Sequence, residues 1–253
     1  MNKLRRRIMK KHVKFIMAFL IISNLFFITT DAYVIQKKGG INWVYGKINA
    51  VMTNNSKNNK YSDYYYIKSL IYDSLDKNSN AIVFLGDSIT DGYEWGEYFK
   101  NRNIQNRGIN GDTLVGVLDR IDTITKERPD SIFIMIGIND FRNGKTVDYI
   151  IKQYKILLQK IQKDSPNTKI YIQSVLPVNI KMANYETYNN KNIYELNGEL
   201  IKLENENIKY INIYDSLKTD DNQLNEKYTY DGIHLNGTGY QIWINLISKY
   251  VKE

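Results

Sequence analysis

Downstream of Asn80 the chain alternates between short, nearly continuous apolar runs and segments whose apolar positions recur every three or four residues. The runs AIVFL (81–85), SIFIMI (131–136), KIYIQSV (169–175) and YINIY (210–214) suit strands buried on both faces, and a shorter run lies near Ile104. Between them, Ile150, Tyr154, Leu157, Leu158 and Ile161 fall on one face of a helix. So do Ile193, Leu196, Leu200 and Leu203, and near the C-terminus Trp243, Leu246, Ile247 and Tyr250. Strands alternating with helices predict an α/β fold, a three-layer α/β/α sandwich on a mostly parallel sheet. In such sheets the ligand crevice lies beyond the carboxyl ends of the strands.

The N-terminal part reads differently. Phe15–Thr30 is uncharged and strongly apolar, and it follows a cluster of Lys3, Arg5, Arg6, Arg7, Lys10, Lys11 and Lys14. A basic segment before an apolar run is the pattern of an export signal or a membrane anchor, so residues 1–34 are predicted to form a basic leader with a hydrophobic helix. Such a helix would span roughly 24 Å at about 1.5 Å per residue, against ~30 Å of hydrocarbon core. Thr30-Asp31-Ala32 is a weak cleavage site. A retained anchor and a cleaved signal both place the body outside the cytoplasm, with membrane contact through the leader. Residues 35–60, with TNNSKNNK at 53–60, read as a polar tether, and 61–253 as the folded domain.

The leader also accounts for the net charge of +8. The remaining 28 Lys and Arg face 27 Asp and Glu, which excludes a nucleic-acid partner for the body. The 43% apolar content is enough for a real core. With no cysteine, disulfides, thiol nucleophiles and Cys-ligated metals drop out together. One histidine remains outside the leader, so any metal site would be built from carboxylates; neither a metal nor a cofactor is expected.

Polar residues then stand where a crevice would be. AIVFL runs into GDSIT, with Ser88; after Ile104 comes NRGING, with Gly108; after SIFIMI comes GIND, with Asn139; before the last helix comes DGIH, with Asp231 and His234. Each has a plain structural reading. Ser88 or Asp87 could cap a helix, Gly108 could make a turn, Asn139 could close one through its own backbone, and Asp231-Gly232 could be a simple turn beside a surface histidine.

Taken in order, the four blocks resemble those of the SGNH hydrolases, also called GDSL esterases and lipases, with Ile89 where the family name has Leu. Their wording is most similar to the branch around platelet-activating-factor acetylhydrolase. The resemblance covers about Asn80 to the end. It implies a flavodoxin-like sheet and a triad of Ser88 as nucleophile, His234 as base and Asp231 as its orienting partner. It also implies an oxyanion hole made by the Ser88 N–H, the Gly108 N–H and the Asn139 side-chain amide. Asp87 and Asp140 are expected to organise their loops. The Gly-x-Ser-x-Gly elbow of α/β-hydrolases does not fit, because Thr90 occupies the second glycine position. The expected activity is hydrolysis of short acyl esters, acetyl foremost, on carbohydrate or cell-envelope substrates. A lysophospholipase-like acylhydrolase and a non-catalytic carbohydrate-binding relative are the alternatives. The loop at 178–188 is expected to border the pocket.

Overall fold

The apolar runs form five parallel strands: β1 (Ile82–Gly86), β2 (Ile104–Gly108), β3 (Ser131–Met135), β4 (Lys169–Gln173) and β5 (Ile208–Ile211). Their order is β2-β1-β3-β4-β5, the flavodoxin-like arrangement. This computed structural model describes residues 60–75, 78–183 and 187–251, together with Lys37. The predicted leader helix, and the tether apart from Lys37 and Lys60, lie outside the described residues. Among the described residues no helix is long and apolar enough to cross a membrane.

Helices follow in chain order: α1 (Asp63–Ser74), α2 (Ser88–Asp91), α3 (Trp95–Phe99), α4 (Leu114–Thr125), α5 (Ile138–Arg142), α6 (Val147–Asp164), α7 (Ile180–Ala183), α8 (Asn190–Leu200), α9 (Tyr214–Leu217) and α10 (Gly237–Val251). The longer ones begin at side-chain caps. Thr113 accepts from Gly116 N, Thr146 from Tyr149 N and Asn189 from Lys191 N, each satisfying an amide that the first turn leaves unpaired.

Strand alternation divides the core. Val83, Leu85, Ile132, Ile134, Ile170 and Ile172 face one way, against the apolar stripes of α4, α6 and α8. Phe84, Phe133 and Tyr171 face the other way, against α3 and α10. The register places these three rings side by side, with centroids 5.0 and 4.5 Å apart, and Trp95 stacks on Phe84 at 4.4 Å. Each buried side chain of this size contributes about 1.5–3 kcal/mol of transfer free energy.

At the C-terminal ends of β4 and β5 the strand stops short of the apolar run, and one hydroxyl explains both. Ser174 Oγ accepts from Ile213 N (2.9 Å) and Tyr214 N (2.8 Å). β4 therefore ends at Gln173, and the chain leaves β5 after Ile211 to start α9. Leu203, read as part of the α8 stripe, sits in a 3-10 turn, Ile201–Leu203. The rims of the sheet are covered by polar side chains. At β5, Tyr210 N donates to Glu204 Oε1 (2.8 Å), while Asn205 N donates to Ile208 O (3.0 Å). At β2, α1 lies alongside: Tyr72 OH donates to Gly108 O (2.7 Å) and Tyr65 OH to Gly116 O (2.7 Å).

Candidate active site

β1 is an inner strand between β2 and β3, and Gly86 at its end pairs with Gly108 on one side and Met135 on the other. The connections from β1 and β3 leave on opposite sides of this point, which opens the crevice. Ser88 is the first residue of α2, two positions beyond the strand. Asp87 caps that helix by accepting from Ile89 N (3.0 Å). One turn long, α2 has no stability of its own. It is held from outside: Tyr240 OH donates to Ile89 O (2.8 Å), Trp95 Nε1 to Thr90 O (2.8 Å), and Asn106 Nδ2 to the carbonyls of Thr90, Asp91 and Tyr93.

His234 and Asp231 approach Ser88 from the loop before α10. Ser88 Oγ lies 2.8 Å from His234 Nε2, and His234 Nδ1 lies 2.6 Å from Asp231 Oδ2. The other Asp231 oxygen accepts from Ile233 N (2.9 Å) and His234 N (2.8 Å). Burial works against the Asp231 charge, but the bonds from the His234 ring and from these two amides outweigh it, holding the carboxyl below its ordinary value. An ionised Asp231 accepts a hydrogen bond from Nδ1–H, which leaves Nε2 as the acceptor that faces the serine hydroxyl.

Thr229 closes this loop, accepting from Gly232 N (2.9 Å) and donating to His234 O (2.6 Å). Gly232 has φ +88°, and a Cβ there would lie 2.7 Å from Asn179 O and Ala183 N. Its own carbonyl accepts from Asn179 N (2.8 Å). The segment carrying Asn179 is itself gripped by two side-chain amides of α8. Asn197 both donates to Val175 O and accepts from Val175 N (2.8 Å each), and Asn190 does the same for Val178 (2.7 and 2.9 Å). The described part of the 178–188 loop therefore adjoins the His234 loop, and Met182 packs against Gly232.

The far wall is buried and acidic. Asp87, Asp112 and Asp140 are each at most 3% exposed. Arg120 pairs with Asp112 (Nη2 to Oδ2, 2.8 Å), and Asp140 Oδ2 accepts from Leu114 N (3.1 Å). Burial pushes the Asp87 carboxyl up to about 7 and that of Asp140 up to about 6; the neighbouring acids add to both shifts, and a backbone amide opposes each. Asp112 is also raised by burial, against the pull of Arg120. Asn139 follows β3 in α5 and donates one amide hydrogen to Asp112 O (3.0 Å), which leaves its second hydrogen for a ligand.

Gly108 is placed otherwise than expected. Its N–H donates to Asn106 Oδ1 (2.9 Å), and a Cβ at this position would collide with the Thr90–Asp91 backbone. Glycine is required here so that β2 can pass under α2, and its amide is already used. Several residues that shape the site carry no motif signal: Arg120, Asn179, Asn190 and Asn197. Only Asn106 and Asp112, within and next to the NRGING block, could have been singled out from their position.

The profile of the GDSL-like Lipase/Acylhydrolase family matches residues 84–242, well over half of the chain and every block described above. The chain belongs to this family. Among curated relatives of this GDSL-type acylhydrolase, it is 29% identical over 176 residues to platelet-activating factor acetylhydrolase IB subunit alpha2 of Rattus norvegicus, covering 67% of this chain and 75% of that one. It is also 28% identical over 218 residues to an N-acylneuraminate cytidylyltransferase of Escherichia coli; the match takes in 80% of this chain but spans only 48% of that protein. Among solved structures, a GDSL-like lipase from Bacteroides thetaiotaomicron superposes with a TM-score of 0.63 at 25% identity, over 74% of this chain and 97% of that chain.

Proposed function

We propose that this GDSL-type acylhydrolase is a serine esterase that removes short acyl groups, acetyl foremost, from carbohydrate or cell-envelope esters. The observation that carries the reading is the unbroken line Ser88 Oγ–His234 Nε2, His234 Nδ1–Asp231 Oδ2, at 2.8 and 2.6 Å. In the proposed reaction His234 takes the Ser88 proton as Oγ attacks the ester carbonyl. The tetrahedral intermediate collapses, and the same proton goes to the departing alcohol. A water molecule, deprotonated by His234, then frees the acid and restores Ser88. Asp231 fixes the tautomer and balances the imidazolium.

Charge on the former carbonyl oxygen requires donors already in place. Two are those expected from the blocks, the Ser88 N–H and the second amide hydrogen of Asn139. For the third, the Gly108 amide is already bonded to Asn106 Oδ1, and the role passes in this reading to the amide of Gly111. Asp112 N donates to Ile109 O (3.0 Å), which closes a turn with Gly111 at φ +77°. The Asn139–Asp112 bond draws this turn to the Asn139 amide.

The acetyl preference is supported by the relative named an acetylhydrolase. The carbohydrate side is supported by the relative whose name carries a sugar acid. The basic, apolar leader supports a place outside the cytoplasm, at or near the membrane. A second reading, a longer-chain acylhydrolase, is favoured by exposed Ile180 and Met182 beside the His234 loop. A chain-length series of p-nitrophenyl esters tests both. Turnover confined to acetate and its near homologues is expected, with activity and fluorophosphonate labelling both lost in Ser88→Ala. Turnover that rises with chain length would replace the first reading by the second. Unchanged hydrolysis in Ser88→Ala would remove both.

A further inference from the structure

Tyr230 is one residue before Asp231, and its ring takes no part in the proton relay. It is 67% exposed, yet it lies within 14° of parallel to the His234 ring, with centroids 5.9 Å apart. The ring thus stands at the rim of the pocket, on the His234 side.

That side has a defined chemical meaning. The proton carried by His234 Nε2 must reach the ester oxygen that leaves, so the alcohol half of the substrate lies next to the imidazole, while the carbonyl oxygen points away to its donors. We infer that Tyr230 is the binding platform for the alcohol half of the substrate, and that this half is a neutral, hydroxyl-bearing ring such as a pyranoside. The inference rests on the esterase reading above. A flat aromatic face offers a large contact area, at little conformational cost, to the C–H face of a sugar ring. A phosphate-bearing alcohol is disfavoured at this place, because Asp231 next door is held ionised.

The test compares two acetyl esters of secondary alcohols, mono-acetylated methyl β-xylopyranoside and isopropyl acetate, in the full chain. The ratio of their kcat/KM values isolates the ring. Tyr230→Ala is expected to lower that ratio about tenfold, in line with the energy of an aromatic contact, and Tyr230→Phe to restore it. A ratio unchanged in Tyr230→Ala overturns the inference, whether both rates fall together or neither does. Ser88→Ala measured alongside separates the two levels. If it hydrolyses both esters, the esterase reading fails; if it is inactive and the Tyr230 ratio does not move, only the platform fails.

Discussion

On one flank of Ser88, Asp231 and His234 stand in a short loop with 37% and 29% of their side-chain surfaces exposed. On the other, Asp87, Asp112 and Asp140 are sealed behind α2 and α4 with Arg120 paired to Asp112. The residue type is largely the same, and the environments drive it in opposite directions. Asp231 is given three hydrogen bonds and kept below the ordinary carboxylate range, so it remains an anion beside the base. Asp87 and Asp140 receive one backbone bond each from another residue and are pushed up toward neutrality. Charge is maintained on the flank that, in the proposed reaction, exchanges protons with substrate and water. On the other flank the carboxyls serve as acceptors that fix backbone amides.

In the proposed mechanism Asn139 is where the buried flank reaches the reaction, and breaking it should give the largest effect on turnover. In Asn139→Ala one amide hydrogen is lost from the Asp112 carbonyl and, in the proposed reaction, the other from the developing oxyanion. kcat for p-nitrophenyl acetate is expected to fall by roughly 10²–10³, with a much smaller change in KM. A KM effect of similar size would instead mean ground-state binding. On the exposed flank the weak point is Gly232. Ala there would meet Asn179 O and Ala183 N at 2.7 Å in a left-handed backbone. A loss of about 2–3 kcal/mol in chemical denaturation is expected, with lower activity as the His234 loop shifts.

How far these flanks could be read in advance depended on distance along the chain. β1, β3 and β4 were visible because both of their faces are buried, which forces a continuous apolar run, whereas the edge strands β2 and β5 carry polar residues and read more weakly. Ser88 and Asn139 stood out because each sits in a compact block just after a strand, and Asp231 and His234 because they share a compact block before α10. The ties between blocks were not. Asn190 and Asn197 look like ordinary polar helix positions until α8 is laid against 175–178. Arg120 gives no hint of Asp112, and nothing in the α1 sequence says that Tyr72 will reach Gly108. Gly108 shows the reverse error: the block gives the glycine, but only the fold shows that Asn106 has taken its amide.

A pH-dependent effect sharpens the contrast between the two carboxyl environments. The Asp87 carboxyl is raised from 3.8 to about 7, so the folded state holds its proton where the unfolded chain has released it. Its contribution to stability is present below about pH 4 and is lost as pH rises through about 7. Asn in its place imitates the protonated form and can still accept from Ile89 N. Measured by denaturation across this window, Asp87→Asn should therefore gain on the wild type as pH rises. A difference that stays constant from pH 4 to 7 would mean that Asp87 titrates as an ordinary carboxyl.

The covered rims of the sheet bear on how the protein lives among its own copies. A parallel sheet of five strands has two edges, each a row of amides and carbonyls that could recruit a strand from another molecule. At β5 the Glu204 carboxylate occupies the Tyr210 amide and the Asn205 amide occupies the Ile208 carbonyl; at β2 the Tyr72 hydroxyl occupies the Gly108 carbonyl. An incoming strand would have to displace these groups, one of them charged, before it could pair. The sheet is thereby made to terminate, a protection against edge-to-edge aggregation when many copies are crowded together.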